Sequence, residues 1–167
     1  MHFGVNLRGR PGETIGYVAR PNHNPIEIAR VRGCRASAYW EPIPSGDADE
    51  AILEPDLFYI FASHERLGIG PGVCAEMQAY DVGMGELRSH YAGFFDSGFG
   101  FGAAAPSRIV LEVRNHHVPY LLSHRQVLFR VLFMRNQRAP RRLYGQDGRA
   151  SNYQGQELRL AKQFDGA

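Results

Sequence analysis

Glu112 is the residue whose type and position most clearly suggest chemistry. It lies within residues 108–115, a segment rich in Ile, Val and Leu that is otherwise suited to a central strand. A charged side chain in such a strand is unfavourable unless it has a partner of opposite charge or a functional role. Because side chains alternate along a strand, Arg108 and Arg114 share one face with Glu112. That face either is polar with cross-strand ion pairs, or holds a carboxylate that acts in catalysis.

The other residue types that perform chemistry do not form recognisable motifs. Adjacent His116 and His117 point to opposite faces of a strand, which prevents them from binding one ion. The sequence contains no His-Glu-x-x-His motif and no His-x-Glu with Pro-Cys-x-x-Cys, the signature of zinc deaminases. It has no Gly-x-Ser-x-Gly motif, and neither Cys34 nor Cys74 lies in a motif typical of a nucleophile. We therefore expect no metal held by protein side chains.

Two loop segments could contact a ligand or serve only as connections. Residues 96–107 are rich in Gly and aromatic residues, so they either let the backbone approach a ligand or form a wide turn. They match neither a P-loop nor a dinucleotide-binding fingerprint. Arginine is dense over residues 135–149, which form either a solvated connector or one wall of a phosphate site. The polar residues 151–156 that follow either stay mobile or close over a ligand.

The composition is that of one folded domain. The chain has 167 residues, 44% of them hydrophobic and 22% charged, so residues 1–167 are expected to form a single domain. A net charge of +2 is too small to indicate nucleic-acid binding. The sequence has neither the roughly 20 consecutive apolar residues of a membrane span nor the pattern of a signal peptide. Two cysteines are compatible with a reducing compartment, so we expect a cytoplasmic location.

Short strands must position the residues singled out above. Nineteen glycines and ten prolines provide many turn signals, and residues 42–47, which include Pro42 and Pro44, are one of the connections predicted from them. Between these signals, β-branched and aromatic residues recur in short segments, which predicts a sandwich or a barrel. The predicted strands cover residues 3–7, 15–19, 26–31, 57–63, 74–80, 88–92, 109–115, 118–122 and 127–134. Residues 81–87 and 158–164 are the best candidates for short helices.

Several short motifs gain specificity from their order along the chain. They are Ala92-Gly93 followed by Asp96 and Gly98, Leu111-Glu112 in a strand, Tyr144, and Tyr153 followed by Gln156. In combination they resemble the deoxycytidine triphosphate (dCTP) deaminase family of the trimeric dUTPase-like superfamily. The likeness covers nearly the whole chain and is greatest for the C-terminal half of the long, two-domain form of these enzymes. Two further segments contribute to it, Leu7-Arg8-Gly9 and Trp40-Glu41-Pro42-Ile43.

The resemblance implies an all-β fold, a distorted β-barrel of the β-clip or dUTPase-like type with short helical pieces. It implies trimers or pseudo-trimers with sites between subunits. The implied reaction is the hydrolytic deamination of dCTP to dUTP and ammonia without a protein-bound zinc ion, with Mg²⁺ carried by the nucleotide. Residues 144–167 would include a segment that closes over the site.

The resemblance also assigns roles to individual residues. Glu112 falls on the catalytic glutamate, which takes a proton from the water that attacks C4 of cytosine. Arg88 is a second catalytic candidate. The positions expected to bind substrate are Ala92, Gly93, Asp96, Gly98, Phe99, Tyr144, Ser151, Tyr153 and Gln156. The first two fall beside the base, and Asp96 and Phe99 beside the deoxyribose. Tyr144, Tyr153 and Gln156 fall in the closing C-terminal segment that reaches the phosphates.

The sequence departs from the family in its phosphate-binding element. The family's Ser-Ser-x-x-Arg sequence is absent from residues 81–88, and Asn152 stands where a lysine is expected. The two-domain form carries that element in its N-terminal half. We therefore expect a site completed in a homotrimer, or in a pseudo-trimer with an N-terminal-half partner, with no membrane or nucleic-acid partner. Two alternatives remain, a non-catalytic nucleotide-binding or assembly half-domain and a dUTP pyrophosphatase in which Asp96 activates the water.

Overall fold

Short strands paired in antiparallel fashion make up most of the chain. The computed structural model describes residues 1–21, 24–79, 87–89, 93–102, 106–146 and 153–165. These residues form eleven strands and one four-residue helix, Ala36–Tyr39 (α1). The strands are His2–Gly4 (β1), Thr14–Ala19 (β2), Trp40–Pro44 (β3), Glu50–Leu53 (β4), Phe58–Leu67 (β5), Val73–Ala79 (β6), Leu87–Ser89 (β7), Phe94–Phe95 (β8), Ser107–Asn115 (β9), Tyr120–Ser123 (β10) and Val127–Arg135 (β11). No helix in these ranges is long and apolar enough to cross a membrane.

The strands are arranged in three sheets. The first has the order β1-β11-β6-β8, the second pairs β10 with β4, and the third has the order β3-β2-β5-β9-β7. This arrangement confirms the predicted all-β class. The described sheets do not close into a continuous barrel. Instead the long strand β5 links two of them, because Ser63 within it forms a bridge with Val5, directly after β1. The pairing of β5 with β9 shifts register between Ala62 and Arg66, an irregularity of the kind that bends a strand.

Side chains from all three sheets fill the main hydrophobic core. Phe3 and Phe129 are fully buried there and stack with their ring centroids 5.2 Å apart. Strand β9 contributes every second residue, Ile109, Leu111 and Val113, while the residues between them are more exposed. The period of two predicted for this segment is therefore confirmed.

A smaller hydrophobic cluster lies on the outer face of the third sheet and holds the C-terminal residues. Cys34, Tyr39, Leu160 and Phe164 pack there with Ile60 of β5. Cys34 and Phe164 form a parallel bridge, with backbone hydrogen bonds on both sides. The predicted helix over residues 158–164 is therefore wrong, because this segment is held by a partner far away in the sequence. Both cysteines of the chain are free thiols.

Two other predictions from local composition are wrong. Residues 26–31 form turns instead of a strand, with a hydrogen bond from the Arg30 N–H to the Glu27 carbonyl, and their apolar side chains are exposed. Conversely, Pro42 and Pro44 suggest a loop but lie in β3. That strand is at the edge of its sheet, where a missing N–H does not interrupt the ladder. The other predicted helix, over residues 81–87, lies outside the described residues except for Leu87, which begins β7.

His124 connects the end of the N-terminal strand segment to the turn between β10 and β11. Its Nδ1 accepts a hydrogen bond from the Leu7 backbone N–H at 3.1 Å, so this nitrogen carries no proton in the folded chain. Its ring meets the ring of His64 edge to face, with 5.0 Å between centroids. Partial burial, followed by the charges of His64 and Arg8, lowers the pKa of His124 below its usual value, although Asp49 opposes this shift.

The lowered pKa of His124 predicts a loss of stability in mild acid. Above about pH 6.5 the residue is neutral in both states, whereas below it the unfolded chain binds the proton more readily, which favours unfolding. The free energy of unfolding, measured with urea, should therefore fall as the pH is lowered from about 6.5 to about 5.5. His124→Gln keeps an acceptor for the Leu7 N–H and does not titrate, so its loss over the same interval should be smaller. An equal loss in the variant would contradict this assignment.

Candidate active site

A cavity of about 430 Å³ lies where β5 and β9 meet β8 and the C-terminal residues. Its size is within the range of pockets that bind small molecules. Seven of the residues predicted to act or to bind line it, namely Gly93, Asp96, Phe99, Glu112, Tyr144, Tyr153 and Gln156. They come from three stretches of chain that are well separated in the sequence. The fold therefore brings most of the predicted site together.

Glu112 reaches this cavity because the register of β9 turns it away from the core. It is exposed and, among the described residues, forms no ion pair or hydrogen bond. The two arginines on its face are engaged elsewhere. Arg108 Nε lies 2.8 Å from a carboxylate oxygen of Glu157, and the Arg114 guanidinium lies 5.9 Å from the centroid of the Phe58 ring. The cross-strand ion pair considered for Glu112 is thus not formed in this part of the chain.

Three aromatic rings form one wall of the cavity. The ring centroids of Phe95 and Phe99 are 5.2 Å apart, and those of Phe99 and Tyr144 are 5.8 Å apart. Phe99 is buried, so its neighbours hold its ring in place. Asp96 is exposed beside this wall, and its backbone carbonyl accepts a hydrogen bond from the Phe99 N–H at 3.1 Å. The arrangement suits a ligand with a flat, weakly polar ring and a hydroxyl group.

Gly98 does not line the cavity but allows Tyr144 to reach it. Its φ is +102°, and a Cβ at this position would lie 2.7 Å from both the Leu143 Cβ and the Tyr144 backbone nitrogen. The Tyr144 N–H in turn donates to the Ser97 carbonyl at 2.8 Å. Only glycine combines this conformation with so close an approach. The structure thus gives Gly98 a positioning role, and its contact with a ligand stays a prediction.

The C-terminal strap, residues 153–161, closes one side of the cavity. The Gly155 N–H donates to Ser107 Oγ at 2.8 Å. Arg108 and Gln156 exchange two hydrogen bonds of 3.0 Å, from the Arg108 N–H to the Gln156 carbonyl and from Gln156 Nε2 to the Arg108 carbonyl. The side-chain oxygen of Gln156 is buried and has no hydrogen-bond partner among the described residues. A ligand in the cavity could satisfy this acceptor.

Arg159 lines the same cavity, although the sequence analysis did not single it out. It lies in the strap three residues after Gln156, within the segment for which a helix was predicted. Its place beside the cavity follows from the strap's hydrogen bonds to β9, which no local pattern reports. No pattern within this segment marks Arg159 as a cavity residue, because the strap is irregular and has no regular side-chain period.

Three predicted residues are described in part or not at all. Arg88 has its backbone in β7, opposite Arg114 of β9, and its side chain lies outside the described part of the structure. Ala92 and Ser151 lie outside the described residues. In the described ranges, no group of three or more His, Cys, Asp or Glu side chains is placed to hold a metal ion.

Residues 1–164 match the family model described as 2'-deoxycytidine 5'-triphosphate deaminase (DCD), C-terminal domain. Among solved structures, 23 chains match, including the crystal structure of 2'-deoxycytidine 5'-triphosphate deaminase from Agrobacterium tumefaciens. That chain is 37% identical to this one, with a TM-score of 0.77. The alignment covers 84% of this chain and 42% of that one, so the chain spans less than half the length of that deaminase. No curated protein matches the sequence.

The close approach at Gly98 predicts a measurable difference between two glycine substitutions. Gly98→Ala should lower the free energy of unfolding by about 2–5 kcal/mol, because a positive φ and a steric overlap both oppose the new side chain. Gly102→Ala is the matched control. Gly102 also has a positive φ, +79°, but a Cβ there would have no atom of the described residues within 4 Å, so the cost should be about 1 kcal/mol. Denaturant unfolding measures both values, and equal costs would rule out the positioning role.

Proposed function

The chain belongs to the 2'-deoxycytidine 5'-triphosphate deaminase family, and from this premise we propose that it carries out the hydrolytic deamination of dCTP to dUTP and ammonia. The observation that carries the proposal is the position of Glu112, exposed in the cavity and without an ion-pair partner among the described residues. A carboxylate without such a partner in the described part of the chain is available to act as a general base. The proposed setting is pyrimidine deoxynucleotide metabolism in the cytoplasm.

In the proposed reaction, Glu112 accepts a proton from a water molecule while the water oxygen attacks C4 of cytosine. The resulting carboxyl group and the remaining water proton then supply the protons that the product needs. One proton ends on ring nitrogen N3 and the other on the leaving amine, the C4–N4 bond breaks, and ammonia departs. The water oxygen becomes O4 of uracil, so one water is consumed for each ammonia released. The water is activated by the carboxylate in place of a protein-bound zinc ion, and Mg²⁺ enters with the triphosphate.

The other cavity residues support the binding of a nucleoside. The aromatic wall that includes Phe99 and Tyr144 offers an apolar surface to the deoxyribose, and the exposed carboxylate of Asp96 can accept a hydrogen bond from a sugar hydroxyl. Gly93 has no side chain, so the base can lie close to its backbone. Gln156 offers a side-chain oxygen that has no hydrogen-bond partner among the described residues, and Tyr153 lies at the beginning of the strap. Ala92 and Ser151 are assigned to binding, and Arg88 to catalysis, on the family likeness alone.

We further propose that a second subunit completes the site. Two facts support this, the exposure of Glu112 in an open cavity and the 42% of the Agrobacterium deaminase that the chain matches. The assembly is a homotrimer, or a pseudo-trimer with an N-terminal-half partner that contributes the Ser-Ser-x-x-Arg element. Adding such a partner protein to the chain should then raise the rate of ammonia release. No change would argue against a shared site.

A second function, dUTP pyrophosphatase, is favoured by one observation. The exposed carboxylate of Asp96 lies in the same cavity as Glu112 and could activate a water for attack on a phosphate. The two reactions give different products, ammonia from dCTP or pyrophosphate from dUTP. A single chromatographic assay with both nucleotides therefore separates them. Tight dCTP binding with neither product would identify a non-catalytic half-domain.

Substitution of Glu112 gives the direct test of the proposed reaction. Glu112→Gln removes the base with little change in shape and should lower the rate of ammonia release from dCTP by about 10²–10⁴-fold. The binding of dCTP, measured by titration calorimetry, should remain. Glu76→Gln is the matched control, since Glu76 is also exposed on a strand but does not line the cavity. Full activity in Glu112→Gln, or an equal loss in both variants, would refute the assignment of Glu112.

A further inference from the structure

The two-stranded sheet of β4 and β10 exposes an apolar pair on its outer face. Ile52 lies directly opposite Leu121 in the register of the two strands. Their neighbours Leu53 and Leu122 are fully buried in the main core, so alternation turns Ile52 and Leu121 outward, where they are 63% and 54% exposed. The fold thus leaves most of these two side chains in contact with water, which is unfavourable for apolar groups.

Carboxylates flank this apolar pair. Glu50 lies two residues before Ile52 in β4 and therefore on the same side, and Glu54 follows directly after the strand. Both side chains are exposed, and neither forms an ion pair among the described residues. We call Glu50, Ile52, Glu54 and Leu121 the acidic ribbon.

An apolar groove of about 580 Å³ lies beside the C-terminal residues. Its lining includes Ile26, Ile28, Ala161 and Phe164. Ile28 is 77% exposed, although a hydrogen bond of 3.0 Å from Gln163 Nε2 to its carbonyl holds the backbone beside the groove. Ala161 also lines the cavity of the candidate active site, so the groove adjoins that cavity.

Two cations lie at the edge of this groove. Lys162 lies between two of its lining residues, and the Lys162 carbonyl accepts a hydrogen bond from the Arg32 N–H at 2.9 Å. Both side chains are exposed, and neither forms an ion pair or a hydrogen bond among the described residues. The neighbouring carboxylates are engaged, since Glu27 pairs with Arg30 and Asp165 accepts from a backbone N–H. We call the groove with Arg32 and Lys162 the basic groove.

We propose that the acidic ribbon of one copy of this chain docks in the basic groove of a second copy. The apolar pair of the ribbon then covers the apolar lining of the groove, while Glu50 and Glu54 pair with Arg32 and Lys162. An apolar centre with opposite charges around it is typical of a specific interface. A ribbon against a ribbon, or a groove against a groove, would instead bring like charges together.

This contact is head-to-tail, because each copy uses two different surfaces. Such contacts close into a ring when the rotation between copies permits it. A ring of three copies would be the homotrimer of the proposed function, and the inference rests on that function only for the number of copies. Because the groove adjoins the cavity of the candidate active site at Ala161, the docked copy lies beside that cavity, where a shared site requires it.

Sedimentation velocity of the 167-residue chain over a range of concentrations tests this contact. The unsubstituted chain should assemble, with a share of assembled copies that grows with concentration. The ribbon variant Glu50→Arg/Glu54→Arg and the groove variant Arg32→Glu/Lys162→Glu should each raise the dissociation constant by about 100-fold or more, because like charges then face each other. The variant that combines all four substitutions has opposite charges again and should recover the assembly.

Two further kinds of variant complete the experiment. Ile52→Ser/Leu121→Ser removes the apolar pair without changing any charge, and it should weaken the assembly while the free energy of unfolding stays nearly the same, since both side chains are exposed. Glu76→Arg and Arg135→Glu are the matched controls. Both residues are exposed on strands of the first sheet and belong to neither surface, so these variants should assemble like the unsubstituted chain.

Three results would overturn the proposal. They are an unsubstituted chain that is a monomer at every concentration, a ribbon, groove or serine variant that assembles as well as the unsubstituted chain, and control variants that lose the assembly to the same extent. A monomeric chain that binds an N-terminal-half protein would assign the contact to that partner and not to a second copy.

Ammonia release from dCTP, measured on the same samples, separates this proposal from the proposed function. Assembly that depends on the two surfaces, without any release of ammonia, would refute the deaminase activity and leave the contact standing. Ammonia release by an unsubstituted chain that remains a monomer would have the opposite meaning. In that case the reaction stands and the contact between copies is refuted.

Discussion

The register of β9 is the constraint on which the candidate site depends. Ile109, Leu111 and Val113 are buried in the main core, so the residues between them must face the other way. A shift of one residue would move Glu112 into the core, where an unpaired charge is strongly unfavourable. The burial of three aliphatic side chains thus determines where the carboxylate lies.

The C-terminal strap depends on the same strand. Ser107 and Arg108, at the beginning of β9, hold Gly155 and Gln156 by hydrogen bonds of 2.8 to 3.0 Å. The smaller hydrophobic cluster anchors the end of the strap, because Leu160 packs with residues of the third sheet. One strand therefore presents the carboxylate and also positions the segment that closes the cavity.

The sequence predicted the parts of the site that depend on a pattern within a single segment of the chain. Alternation along residues 108–115 identified the face of Glu112, because one side of this strand is buried along its whole length. Pro42 and Pro44 indicated a loop, but they lie in an edge strand, where proline does not interrupt the hydrogen-bond ladder. Whether a strand lies at an edge is a property of the sheet, and the local sequence does not show it. Ile28 and Val31 have strand-forming side chains but lie exposed in turns.

The remaining site residues depend on contacts between distant parts of the chain. The proximity of Phe99 and Tyr144 was implied by the family resemblance and not by any spacing, because a close approach at Gly98 creates it. Arg159 was missed for a similar reason. Its strap is held by hydrogen bonds between residues about 48 positions apart in the sequence, such as that of Gln156 with Arg108. The helix or strand propensity of a segment does not indicate which distant residues it will bond to.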